Sequence, residues 1–137
     1  MAPGTETVHL KTLNPYGSIP VWQMFYYGGM VEPYWQNRAI AEPTYRVLKD
    51  ALSHPPADAP WRGPHFSAIK DIGSYAATWT GDIHLFNGHE SINLEPDFLQ
   101  DTLDHDYGRK IIQPGRKNLT FKQYFGGGII IYDHAKI

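Results

Sequence analysis

The sequence predicts an α+β domain: a small helical N-terminal part followed by a mainly antiparallel, β-rich C-terminal part that curls into a partial barrel or curved sheet. Three observations carry this. Residues 43–52 place apolar side chains at helical spacing. From Gly73 onward, short runs rich in Tyr, Trp, Thr and Ile alternate with Gly, Asn and Asp. Ile129-Ile130-Ile131-Tyr132 follows three glycines and reads as a buried strand.

The chain has 137 residues, the size of one domain, so 1–137 is expected to fold as a single unit. Residues 1–18 read as irregular or as a linker, with Pro3, Gly4, Pro15 and Gly17. Val21–Tyr27 is a short helix or an extended apolar segment, ended by Gly28-Gly29. Pro43 suits a first helical turn, because its missing N–H is no loss there. Tyr45, Leu48 and Leu52 share one face, flanked by Val47 and Ala51, and Pro55-Pro56 stop the helix. Residues 54–65 form a proline-punctuated loop. Ser74–Thr80 is a strand, and Asp82–Leu94 a hairpin with Asn87-Gly88 at its tip, since Asn-Gly favours the type I′ turn. Glu95–Ile112 mixes loop and short helix, and Gly126-Gly127-Gly128 bends the chain into the last strand. No internal repeat is expected.

Composition excludes several classes of function. Cysteine is absent, which removes disulfides, thiolate catalysis and cysteine zinc sites. The net charge of -2 and the lack of a basic stripe argue against nucleic-acid binding. Residues 1–12 lack the basic and apolar regions of a signal peptide, and no apolar run is long enough for a transmembrane segment.

The chemistry-bearing stretch is Asp101-Thr102-Leu103-Asp104-His105-Asp106-Tyr107, followed by Arg109 and Lys110. Asp97, Asp101, Asp104 and Asp106 are dense like charges, and such carboxylates suit Mg²⁺ or Ca²⁺. With Arg109 and Lys110 beyond them, the segment combines metal-binding oxygens with anion-binding cations, as phosphoryl chemistry requires. An acidic surface loop is the plain alternative. His105 does not open a zinc-peptidase helix, because Arg109 stands where the second histidine belongs. His84 and His89 lie near each other in the hairpin without a third ligand at fixed spacing. Gly126-Gly127-Gly128 lacks the Lys-Ser/Thr of a phosphate loop.

Over roughly residues 70–133 the order of motifs resembles the catalytic domain of colicin M-type bacteriocins and related type VI secretion-linked toxin domains. Gly73-Ser74-Tyr75 and Gly81-Asp82-Ile83-His84-Leu85 resemble the strand pair leading to that family's active site. Asp101-Thr102-Leu103-Asp104 resembles its Asp-x-Tyr-Asp signature, with Leu103 at the tyrosine position and Arg109 as the nearest counterpart of its His-Arg pair. The tail 121–133 is similar to the closing strand. The resemblance implies a Mg²⁺-dependent phosphodiesterase that cleaves lipid II, a lipid-linked peptidoglycan precursor, in the periplasm of a target bacterium. It also implies a cognate immunity protein. Asp101 and Asp104 would bind the metal and act in catalysis with His105 and Arg109. Tyr107 and Lys110 would contact substrate, and the aromatic patch Trp22–Trp35 would receive the polyprenyl chain. Two other readings stay open: a non-catalytic binding module using exposed aromatic side chains, and a metal-dependent hydrolase of another class.

Overall fold

A computed structural model describes residues 4–11, 17–107 and 118–130. Six strands form one antiparallel sheet in the order β1-β2-β6-β5-β4-β3, curled into a half-barrel. They are β1 (Gly4–Lys11), β2 (Ser18–Met30), β3 (Phe66–Ile69), β4 (Gly73–Asp82), β5 (Leu85–Leu94) and β6 (Leu119–Ile129). Helix α1 (Arg38–Leu52) follows β2, and α2 (Pro96–Tyr107) follows β5. The α+β class and the curved antiparallel sheet are as expected. The order differs, because two strands precede the first helix.

The region expected to be irregular holds β1, paired with β2 from Gly4↔Tyr26 to Lys11↔Ser18. Residues 5–10 of this edge strand are exposed, so no buried face imposed an alternation for the sequence to show. A bulge opposite Val8/His9 leaves Val21 as an extra residue on β2, which turns Val21 and Trp22 toward the same side.

Helix α1 begins five residues before Pro43. Asn37 caps it, its Oδ1 accepting the Ile40 N–H at 3.1 Å. Pro43 lies inside the helix, where it donates no backbone hydrogen bond. The buried stripe is Ile40, Pro43, Thr44, Val47 and Ala51, so the helix is rotated from the expected Tyr45/Leu48/Leu52 face. The Thr44 hydroxyl donates to the Ile40 carbonyl at 2.7 Å and lies 2.9 Å from the Thr120 hydroxyl, tying α1 to β6. A second bulge at Ile92/Asn93 makes Thr120 the extra residue of β6, and Thr120 and Phe121 are both buried. The main core joins these to Tyr75, Ile92 and Leu94 of the sheet and to Leu99 and Leu103 of α2.

The hairpin turn is at Ile83-His84, not at Asn87-Gly88. Asp82 pairs with Leu85, and its Oδ1 accepts the His84 N–H at 2.9 Å, an Asx-type turn. That bond holds the exposed Asp82 carboxyl below its ordinary range. Gly81 supplies a φ of 93° just before it. Asn87-Gly88 runs straight through β5. A Cβ on Gly88 would meet the Thr78 carbonyl oxygen at 2.3 Å, Trp79 Cβ at 2.7 Å and Phe125 Cζ at 2.8 Å, so this glycine permits the close approach of β4 and of the Phe125 ring rather than a turn. Gly126-Gly127-Gly128 likewise lies within β6 instead of bending into it. Ile129 ends that strand 44% exposed, and Ile131 and Tyr132 are outside the described residues.

β2 and β6 pair from Trp22↔Ile129 to Met30↔Phe121, with Tyr26 opposite Phe125 at the centre.

Candidate functional site

Register arranges the inner face of the sheet in rows across β2, β6, β5 and β4. Met24, Gly127, Phe86 and Gly81 form one row, Tyr26, Phe125, Gly88 and Trp79 the next. The row after that carries Gln123 and Glu90 beside Ala77. Met30, Phe121, Ile92 and Tyr75 follow under α1. The trough is therefore aromatic at one end, polar at its middle and sealed by the helix at the other.

Glu90 is fully buried at that polar centre. Its Oε1 accepts from Gln123 Nε2 at 2.8 Å and from Arg62 Nη2; its Oε2 accepts from Arg62 Nε at 3.1 Å and Tyr75 Oη at 2.5 Å. Four donors fill the carboxylate, which leaves no lone pair for a substrate. Burial and the adjacent Glu90 charge push the Tyr75 hydroxyl far above its usual range, so it remains a donor. Arg62 comes from the 54–65 loop, which the ion pair straps across the trough. Its guanidinium also lies over the Tyr26 ring, 5.6 Å from the centroid.

The strap is held along its length by rings. Trp61 stacks on Phe86 at 4.4 Å and meets Trp79 edge-on at 6.3 Å. His65 stacks on Trp79 at 4.0 Å, and its Nδ1 is 3.0 Å from the Ala77 carbonyl. Beside this stack opens a cleft of about 450 Å³, lined by Val8, Val21, Trp22, Pro60, Trp61, Ile83 and Ile129. Every lining side chain is apolar or aromatic, and the Trp22 indole N–H is already donated to the Ile83 carbonyl at 3.2 Å.

The residues expected to be reactive lie elsewhere. Asp101 and His105 are exposed on α2, and His105 Nδ1 lies 2.8 Å from the Asp101 carbonyl. Asp104 is half-buried and accepts from Gln100 Nε2 at 2.7 Å. Leu103, between the two aspartates, is 2% exposed and packs in the core. Tyr107 ends α2, while Arg109 and Lys110 are outside the described residues. Among the described residues no group of three or more His, Asp or Glu is placed to hold a metal ion.

Sequence reasoning missed Arg62, Glu90 and the strap. One signal was available: in the alternation Phe86, Gly88, Glu90, Ile92, Leu94, a carboxylate occupies an inward position. Such a residue must find buried partners.

A family described as "Domain of unknown function (DUF5680)" matches residues 3–106. The central strand β6 lies beyond that match. No curated protein and no solved structure matches the chain.

Proposed function

Since the chain belongs to the DUF5680 family, whose description carries no activity, we propose its role from the cleft: it is a binding module for a small apolar molecule. The observation that carries this reading is the cleft's uniformly apolar wall beside a self-satisfied polar network. Its volume falls in the range of small-molecule sites, about 300–1,000 Å³. With no polar side chain in the lining, affinity comes from desolvation, roughly 25 cal/mol per Å² of apolar surface removed from water. The Trp22 and Trp61 rings set the shape of what fits.

Titration with the neutral probe N-phenyl-1-naphthylamine, read by its fluorescence, tests this. Ile83 and Ile129 are 45% and 44% exposed, so aspartate at either position leaves the fold intact. Ile83→Asp and Ile129→Asp are each expected to weaken binding about tenfold or more, because an ionised carboxylate must be desolvated when the probe enters. Equal binding by both variants and the wild type would end this reading.

A hydrolytic reading has one observation in its favour. Asp101, Thr102 and His105 line an open depression of about 550 Å³ with Ala39 and Phe98. On this reading the substrate is the lipid-linked peptidoglycan precursor, and Asp101→Ala and Asp104→Ala each abolish lipid II cleavage without changing the circular dichroism spectrum. Full cleavage by both variants removes it. No helix among the described residues is long and apolar enough to cross a membrane.

A further inference from the structure

The outer face of the sheet carries a second surface, independent of the cleft. Helix α1 packs against β3, β4, β5 and β6 on the inner face, and the strap lies on that same side. A solvated antiparallel face is ordinarily polar. Here Phe25, Tyr27 and Tyr124 project from the central strands, 58%, 62% and 51% exposed. The Phe25 ring reaches over Gly126, its Cζ 3.3 Å from where a Cβ would stand, so the ring lies down on the sheet with its other face to solvent. Tyr27 and Tyr124 are register partners on β2 and β6, and His89 continues the row with its ring 6.1 Å from that of Tyr124. Thr78 follows on β4, its hydroxyl 3.3 Å from the His89 ring nitrogens.

Charge decides what such a face accepts. At the outward positions of β2, β6, β5 and β4 the first carboxylate is Asp82, at the hairpin turn. Glu42, Asp50, Asp97, Asp101 and Asp104 all belong to the helices. The outward cation of β2 and β6 is Lys122, whose ammonium sits 5.4 Å from the Tyr124 ring centroid. A nucleic acid needs several cations to replace its counterions, and one lysine engaged with a ring does not provide them. The remaining polar neighbours, Gln23, Thr78, Thr80 and Asn87, are neutral and carry both donors and acceptors.

We infer that this face binds a neutral polysaccharide, with pyranose rings laid on Phe25, Tyr27 and Tyr124 and their hydroxyls bonded to the flanking amide and hydroxyl side chains. A pyranose has an apolar C–H face and a polar edge, which is the pattern of this surface. Phosphate-bearing chains lack the match in charge.

Calorimetric titration of the full chain with cellohexaose, chitohexaose and maltohexaose tests the inference, alongside a single-stranded oligonucleotide and light scattering for self-association. At least one hexaose is expected to bind, and Tyr27→Ala and Tyr124→Ala to weaken it tenfold or more. Phe25→Leu still covers Gly126 while removing the ring, and is expected to weaken binding with an unchanged melting temperature. Naphthylamine binding at the cleft should be unaffected in all three variants. The inference is overturned if none of the hexaoses binds, if the variants bind sugar as the wild type does, or if only the oligonucleotide binds. It is equally overturned if the substitutions change molecular mass in solution but not sugar binding.

Discussion

Replacing Glu90 by glutamine is expected to lower stability by about 3–5 kcal/mol, the range for breaking a buried ion pair by removing one partner. The volume barely changes, so the cost is electrostatic. Arg62, 7% exposed, keeps its charge and loses its counter-charge. The new amide group also presents N–H donors where Arg62, Tyr75 or Gln123 already donate. In a domain of 137 residues this corresponds to a fall in melting temperature on the order of 10 °C. Urea denaturation gives the free energy directly. The double variant Arg62→Met/Glu90→Gln is expected to be less destabilised than the sum of the single ones, because the orphaned cation has gone. The surface pair Arg46–Glu42, with side chains 50% and 65% exposed, is the control, and Glu42→Gln should change stability by no more than about 0.5 kcal/mol. A Glu90→Gln variant as stable as wild type would mean that the Arg62–Glu90 bond does not hold the strap.

What the sequence disclosed follows from how local each signal is. β4 was readable because Tyr75 and Ala77 face the core while Ala76 and Thr78 face out, within one uninterrupted run. α1 was readable in its C-terminal half, where Val47 and Ala51 recur at helical spacing before two prolines. Its first turn was hidden because Pro43 looks like a helix start, whereas the cap is the unremarked Asn37. Asn87-Gly88 misled for a related reason. A dipeptide with strong turn preference was overruled by the close approach of the β4 backbone at Thr78 and of Phe125 to Gly88, which local propensity does not contain. The candidate site was less legible still. Its cleft is assembled from an exposed edge strand, a bulge, a proline-rich loop and a hairpin turn. Arg62 and Glu90 are 28 residues apart, joined only by the closure of the loop over the sheet. The acidic stretch stood out because its charges are adjacent in sequence, which is also what an exposed helix face produces.

Trp61→Ala should produce a loss of similar size by a different mechanism. Trp61 is 7% exposed and seats the strap on Phe86, so truncation leaves a cavity under the loop. Removing a buried tryptophan costs about 3–5 kcal/mol, and here it also removes a wall of the cleft. Denaturant midpoint and naphthylamine affinity should therefore fall together. Trp61→Phe separates the ring from its polar atom. Among the described residues the Trp61 indole N–H, shielded from solvent, meets no acceptor, and an unsatisfied buried donor costs about 1–3 kcal/mol. Phenylalanine keeps most of the stack and discards that donor, so its gain offsets the smaller ring and stability should stay within about 1 kcal/mol of wild type. Trp35, 57% exposed, sets the scale for a tryptophan that packs little, and Trp35→Ala should shift stability by about 0.5 kcal/mol or less. If Trp61→Ala behaves like Trp35→Ala, the strap is not seated on Phe86, and a cleft walled by Pro60 and Trp61 cannot be the binding site.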